Sequence, residues 1–243
     1  MLHGIYGTAH AMEASAREHE AIAKNLAHAQ VPGYRRLQIS QGTFHDHVDE
    51  TRDDLIGRSS TGLRGVDHAY DFTPGAIEQT ERPFDVAIDG EGFFVLQDEE
   101  SPLYTRNGTF LLSADGTLVT NEGRVVEGRG GPIRVPPETP HQEVRINDQG
   151  TVTARGVAVG QLRVVSFDDP SQLVSVGTTL FRAPDDVAPT DADTRVVQGF
   201  LERSNVHPIQ ELVDMIASQR RHEAAARSMR TLTRAMERHI NES

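Results

Sequence analysis

At 243 residues, the chain is long enough to bury a hydrophobic core, and one or two domains are expected. Its formal net charge of −12 is concentrated in the middle: −2 for residues 1–50, −11 for residues 51–200 and +1 for residues 201–243. This balance argues against a surface that binds nucleic acid or an anionic membrane. The absence of cysteine excludes disulfides, thiol catalysis and cysteine-based zinc sites, and no cofactor is predicted.

The first predicted element is an amphipathic helix from about Gly4 to Gln30, which Pro32 and Gly33 end. Its apolar residues recur every three or four positions, as on one face of a helix. The same segment lacks the basic and apolar stretches of a secretory signal, and no run approaches the roughly 20 apolar residues of a membrane span. We therefore expect no membrane insertion, and export without a cleavable signal peptide. The stripe consists of Ile5, Ala9, Met12, Ala16, Ala23 and Leu26.

Residues 1–35 are assigned to this helix and its Pro-Gly exit, and residues 36–80 to an extended connector in which the periodicity fades. The connector holds the most metal-like cluster of the chain, between His45 and Glu50. Its two histidines are two residues apart, a spacing that matches no defined metal site. A solvated connector is the better interpretation, and no metal site is predicted.

An all-β domain is predicted over residues 81–195, because many short runs of alternating hydrophobicity follow one another closely. Asp89-Gly90, Asn107-Gly108 and Asp115-Gly116 are interpreted as hairpin turns. Because Asp and Asn tolerate the left-handed backbone of such turns, these polar residues are assigned to turn geometry and not to catalysis. On this interpretation, Asp115→Asn is expected to be nearly silent.

Residues 196–243 are predicted to contain a second long helix, with Ser204 and Asn205 as capping residues and Pro208 in its first turn. Neither terminal stripe has a partner in its own segment, so the two helices cover each other or neighbouring copies of the chain. Packing between copies is favoured, since the β domain between them can bury its own core. The second stripe consists of Ile209, Leu212, Val213 and Ile216, and resumes at Met229, Leu232, Met236 and Ile240.

Several motifs are spread across nearly the whole chain. Asn25-Leu26-Ala27 and Pro32-Gly33-Tyr34-Arg35 come first, and the stretches Phe84–Ile88, Tyr104–Gly108 and Gly199–Val206 follow. In this order they resemble the flagellar rod and hook axial proteins, although His28, Val31 and Tyr34 depart from that family's usual Asn, Thr and Phe. Hook proteins usually carry large inserted domains, so the length favours a rod protein. The short connector favours a proximal over a distal position.

The resemblance implies a non-catalytic structural subunit that is exported through the flagellar type III apparatus. Such subunits polymerise into the driveshaft that crosses the periplasm in the basal body, with copies of themselves and other rod and hook proteins as partners. The implied fold is a mainly β central domain with N- and C-terminal α-helices that form a coiled-coil-like inner layer in the assembly. The implied interface combines most of both stripes (Ile5, Ala9, Met12, Ala16, Ala23, Leu26, Ile209, Leu212, Val213, Ile216, Met229, Leu232, Met236) with the motif residues Asn25, Ala27, Pro32, Gly33, Ser204, Asn205 and Val206.

A second hypothesis stays open at this point. The chain has the features of a secreted β-domain binding or adhesion protein that its terminal helices merely oligomerise. A closed trimer in solution favours that hypothesis, whereas monomers with disordered ends favour the axial subunit. A hydrolase is a distant third, because no nucleophile and base pair is evident.

Overall fold

The computed structural model describes residues 2–40 and 67–241. They divide into two compact units. The helical unit comprises residues 2–27, 37–40, 67–70 and 207–241, and the β unit comprises residues 28–36 and 71–206. The predicted fold class is confirmed, since a mainly β central region is accompanied by one N-terminal and one C-terminal helix.

The helical unit is an antiparallel helix pair. Helix α1 spans Leu2–His28 and helix α2 spans Pro208–Asn241. Proline is tolerated at the first position of α2, where a backbone N–H has no helical partner in any case. Close contact occurs where both helices carry a small residue: the hydroxyl of Ser15 donates to the carbonyl of Ser218 over 3.2 Å, and Ser218 returns the same bond to Ser15. Strand β1 (Arg36–Ser40) pairs with β2 (Asp67–Asp71).

The β unit contains the remaining strands and two short 3-10 helices, His141–Glu143 and Pro170–Gln172. The strands are β3 (Ile77–Gln79), β4 (Val86–Asp89), β5 (Phe93–Leu96), β6 (Leu103–Thr105), β7 (Phe110–Leu112), β8 (Leu118–Thr120), β9 (Glu127–Gly128), β10 (Gly131–Pro132), β11 (Val144–Ile146), β12 (Thr151–Ala154), β13 (Val157–Gln161), β14 (Val164–Ser166), β15 (Val174–Ser175), β16 (Leu180–Arg182), β17 (Thr190–Asp191), β18 (Arg195–Gln198) and β19 (Phe200–Glu202).

The largest sheet has six antiparallel strands in the order β15-β16-β6-β5-β14-β17, and a second sheet has the order β11-β12-β13. Strands β4 and β18, β3 and β19, β7 and β8, and β9 and β10 form two-stranded ladders. One continuous core contains residues of the two larger sheets and of the β4–β18 and β7–β8 ladders. Val86, Phe94, Leu96 and Phe110 are completely buried in it, and each contributes about 1.5–3 kcal/mol by leaving water.

Only one of the three predicted X-Gly turns closes a hairpin. Asp115-Gly116 joins β7 to β8, which pair with each other. Asn107-Gly108 joins β6 to β7 and Asp89-Gly90 joins β4 to β5, and neither of those strand pairs shares a ladder. Gly108 is required for another reason: a Cβ there would lie 1.7 Å from the carbonyl oxygen of Val86. The hairpin interpretation was therefore wrong at these two positions.

Candidate assembly surfaces

Four large apolar side chains near the start of α2 are exposed. Ile209 is 81% exposed, Leu212 48%, and Val213 and Ile216 55% each. They lie on the side of α2 away from Ser218, which is fully buried against α1. We call these four residues the α2 patch. Scattered exposed apolar residues are ordinary, but a contiguous group on one helix face is typical of an interaction surface.

The predicted stripe of α1 is also largely exposed. Ala9, Ala16 and Ala23 recur every seven residues along one side of the helix and are open to solvent. We call them the alanine stripe. The ion pairs Glu13–Arg17 and Glu20–Lys24 occupy the adjoining side. Met12 and Leu26 are half-buried, and the side chain of Ile5 lies outside the described set.

The second half of the α2 stripe differs from the first. Met229, Leu232 and Met236 are half-buried, and the hydroxyl of Thr8 lies 3.4 Å from the sulfur of Met229. In this stretch α1 partly covers α2 within the same chain. The α2 stripe therefore combines a covered segment with the exposed α2 patch.

Asn25 is buried and holds the backbone of β1. Its side-chain oxygen accepts from the N–H of Leu37 at 2.8 Å, and its amide donates to the carbonyl of Leu37 at 2.9 Å. The carboxamide thus satisfies both backbone groups, as a neighbouring strand does. The same amide donates to the carboxylate of Glu211 in α2 at 3.2 Å. The Asn25 motif position therefore stabilises the helical unit from inside. Beside it, Ala27 is exposed.

Gly33 shows why a glycine follows Pro32 at the exit of α1. Its φ is +68°, in the left-handed region, and its N–H donates to the carbonyl of Glu202 at 2.8 Å. A Cβ at this position would lie 2.4 Å from the backbone of Arg106 and Asn107. Both the backbone angle and the space require glycine. Pro32 itself is half-buried.

Directly beyond this turn, the β unit contains a buried triad of two arginines and one glutamate. Arg35 donates to one carboxylate oxygen of Glu202 at 2.7 Å and Arg106 to the other at 3.0 Å. Glu202 also accepts from the N–H of Gly75 at 2.8 Å, and Arg106 donates to the carbonyl of Gly90 at 2.6 Å. Burial lowers the pKa of Arg106 to about 10, although Glu202 opposes this shift.

Asn205 makes a second carboxamide junction, in the β unit. Its oxygen accepts from the N–H of Arg36 at 2.7 Å, and its amide donates to the carbonyls of Asp71 at 2.8 Å and Thr73 at 3.1 Å. Ser204 accepts from the N–H of Val206 at 3.1 Å. Val206 is buried in a small cluster with Ala29 and Tyr34. These motif residues therefore hold local structure inside the chain, and a direct role between subunits stays a prediction for them.

The sequence interpretation missed the polar contacts of the helix pair. Ser15, Ser218 and Glu211 are all buried there, whereas the predicted stripes contain only apolar residues. One signal was available: a line through Ser15, Ile22 and Ala29 also follows the seven-residue period of a helix face.

The structure contradicts the turn geometry from which Asp115→Asn was expected to be nearly silent. Gly116 and not Asp115 adopts the left-handed conformation, with φ +80°. The two carboxylate oxygens of Asp115 instead accept from the hydroxyls of Ser113 and Thr117. These two bonds lower its pKa from 3.8 to about 2. Asn has a single side-chain acceptor oxygen and cannot reproduce both bonds.

The metal-like cluster from His45 to Glu50 lies outside the described residues. Within residues 2–40 and 67–241, no group of three or more His, Asp or Glu side chains is arranged to hold a metal ion. In the same ranges, no helix is long and apolar enough to cross a bilayer.

Comparison with known proteins decides the family. Residues 87–154 match the flagellar hook protein FlgE/F/G D1 domain, and residues 197–242 match the flagellar basal body rod FlgEFG protein C-terminal region. The flagellar basal-body rod protein FlgF of Caulobacter vibrioides is 33% identical, over 88% of this chain and 86% of that protein. The chain belongs to the flagellar basal-body rod protein family. The rod protein FlgG of Buchnera aphidicola subsp. Schizaphis graminum is 32% identical over 86% of this chain and 88% of its own. FlgF of Salmonella typhimurium is 32% identical over 92% and 91%.

The predicted function is confirmed at this level. The chain is a structural subunit of the flagellar rod, located in the basal body, and it assembles with other flagellar rod and hook proteins. The adhesion hypothesis finds no support among these relatives.

Proposed function

We propose that the α2 patch and the alanine stripe are the surfaces through which this rod subunit polymerises. The observation that carries the proposal is the exposure of Ile209, Leu212, Val213 and Ile216 on a helix whose opposite face is already packed. Full burial of such a side chain contributes about 1.5–3 kcal/mol, and the three that are about half exposed gain correspondingly less in an interface. The four lie together on one helix face, so a single contact can cover them all.

We also propose the finer features that the family resemblance implies. The subunit is exported through the type III apparatus and becomes part of the driveshaft that crosses the periplasm. Its helices form the inner layer of that driveshaft. We favour a proximal position in the rod because the connector is short. The net charge of −12 supports the absence of nucleic acid among its partners.

A non-catalytic role is part of the proposal. Its support is that, among the described residues, the two groups with the largest pKa shifts owe them to structural contacts. The low pKa of Asp115 comes from hydroxyls in its own turn, and the low pKa of Arg106 comes mainly from burial beside Glu202. Shifted pKa values often mark catalytic groups, but ion pairs and turns produce them as well.

The test is the double change Leu212→Asp and Ile216→Asp in cells that depend on this subunit for swimming. Two carboxylates on the α2 patch are hydrated in the free subunit. A packed interface removes that water, which costs several kcal/mol per site. We expect loss of swimming and an unchanged melting temperature, because both positions are exposed in the single chain. The matched control is Val157→Asp at an exposed valine of the β unit, which should swim normally. Swimming by the double variant would reject the α2 patch as an assembly surface.

A further inference from the structure

The two exposed helix surfaces differ in a way that indicates how they meet. The α2 patch carries large side chains, and the alanine stripe carries the smallest apolar ones. Both surfaces are exposed, although α1 and α2 already pack on each other through other faces. Neither surface is therefore the partner of the other within one chain. We propose that the α2 patch of one copy of this chain packs on the alanine stripe of a second copy.

The spacing of the two surfaces agrees with this pairing. Ile209 and Ile216 are seven residues apart, as are Ala9, Ala16 and Ala23. Large residues at that spacing seat over small ones on a facing helix, where the short side chains leave room for close approach. With Ile216 over Ala16, Ile209 falls over the next alanine of the stripe, whichever direction the second helix runs.

The charges beside the two surfaces are complementary. Arg220 follows Ile216 by one turn on the same face of α2, and it is exposed. With Ile216 over Ala16, Arg220 lies opposite Glu20 if the two helices are parallel and beside Glu13 if they are antiparallel. Whole helices follow the same trend, with a net charge of −1 for α1, from two basic and three acidic residues, and +2 for α2, from six basic and four acidic residues. Opposite charges at such positions favour this contact over two α2 patches facing each other.

The pairing is heterologous, because each copy contributes a different surface. After one contact, the first copy keeps a free alanine stripe and the second keeps a free α2 patch, so the contact can repeat. When the rotation between successive copies does not close into a ring, it builds an open helical assembly. Two α2 patches facing each other would form a closed dimer that stops growing. A rod requires the first arrangement. The inference rests on the proposed function and adds to it the identity of the facing surface.

Cross-linking tests the pairing with no background from native thiols of this chain, because it contains no cysteine. Two differently tagged copies, one with Ala16→Cys and one with Ile216→Cys, are expressed together in swimming cells. Basal bodies are then isolated and treated with a short thiol cross-linker. We expect a dimer that carries both tags. The matched control replaces Ile216→Cys by Gln210→Cys, an exposed position on another side of the same helix, and should lose that product.

The outcomes separate this pairing from the broader proposal. Cross-linking between two Ile216→Cys copies, with none to Ala16→Cys, would overturn the heterologous pairing in favour of a closed dimer. Absence of every cross-link in assembled rods would overturn it as well. If the double aspartate variant still abolishes swimming in either case, the α2 patch remains an assembly surface and only its partner is wrong.

A size exchange gives a second readout. Ala16 is exposed in the single chain, so Ala16→Phe should leave the melting temperature unchanged while reducing swimming. If Ile216 is the residue over Ala16, Ile216→Ala should restore part of the swimming that Ala16→Phe removes. Additive losses in the double variant would contradict the contact.

Discussion

The β unit and the helical unit handle apolar surface in opposite ways. The β unit buries the side chains of β4, β5 and β6 almost completely. The helical unit leaves the α2 patch and the alanine stripe open. The β unit thus buries its apolar surface within the single chain, whereas the helical unit leaves part of its own exposed. Under the proposal above, folding stability rests on the first unit and assembly on the second.

Each unit nevertheless uses the same kind of contact to hold together segments that are distant in sequence. A buried or half-buried carboxamide, Asn25 in the helical unit and Asn205 in the β unit, satisfies backbone groups of a distant segment. Making such a bond stabilises the fold only modestly, but losing it is costly, because the backbone groups left without a partner stay buried. Predictions on these polar contacts therefore test whether the two units are stabilised separately.

The largest effect is expected from Glu202→Ala in the β unit. It leaves Arg35 and Arg106 buried without their carboxylate, which costs about 3–5 kcal/mol. Thermal unfolding should show a marked fall in the melting temperature of the β unit. The matched control is Glu78→Ala, which removes an exposed carboxylate 3.6 Å from Arg203 and should change stability by less than about 1 kcal/mol. Equal melting temperatures for the two variants would mean that the buried triad does not stabilise the β unit.

Asn25→Asp tests the helical unit and is expected to come second. A carboxylate cannot donate to the carbonyl of Leu37, and it would face Glu211 in a buried site. The expected loss is about 2–3 kcal/mol. It should be visible as faster hydrogen exchange of the Leu37 amide, with the β unit unaffected. Gln30→Glu introduces the same charge at an exposed position and should leave that exchange rate unchanged. Simultaneous loss of protection in both units would contradict their separate stabilisation.

Gly33→Ala separates two causes of strain. At Gly33 a methyl group meets both a left-handed φ and the backbone of Arg106, whereas Gly123 has a similar φ of +82° and open space around it. Gly123→Ala should cost about 1 kcal/mol from the backbone angle alone. Gly33→Ala should cost clearly more, because the backbone beside it has to move. Chemical denaturation of the two variants measures the difference, and equal costs would show that the close approach is relieved without penalty.

The sequence predicted the β class and both helices because periodicity is a local property. Within the predicted β domain, Val125 and Val126 form only isolated bridges and no strand. Strand pairing depends on distant partners, so Asp89-Gly90 and Asn107-Gly108 could not be distinguished from hairpins by their residues alone. For the same reason the contacts of Ser15 with Ser218, and of Glu202 with two arginines, could not be derived. They join residues that are far apart in the chain.

The smallest effect is expected in a turn of the β unit. The pKa of Asp115 is about 2 in the folded chain, below the ordinary 3.8. Between these values the unfolded chain binds more protons, so the stabilisation is present above about pH 4 and is lost as the pH falls towards 2. Asp115→Asn removes this pH dependence together with one of the two hydroxyl bonds. The melting temperature of wild type should therefore exceed that of the variant at neutral pH, and the gap should close between pH 4 and 2. Asp186→Asn, an exposed change of the same charge, controls for net charge. A gap that stays constant over this range would show that the two hydroxyl bonds do not stabilise the turn.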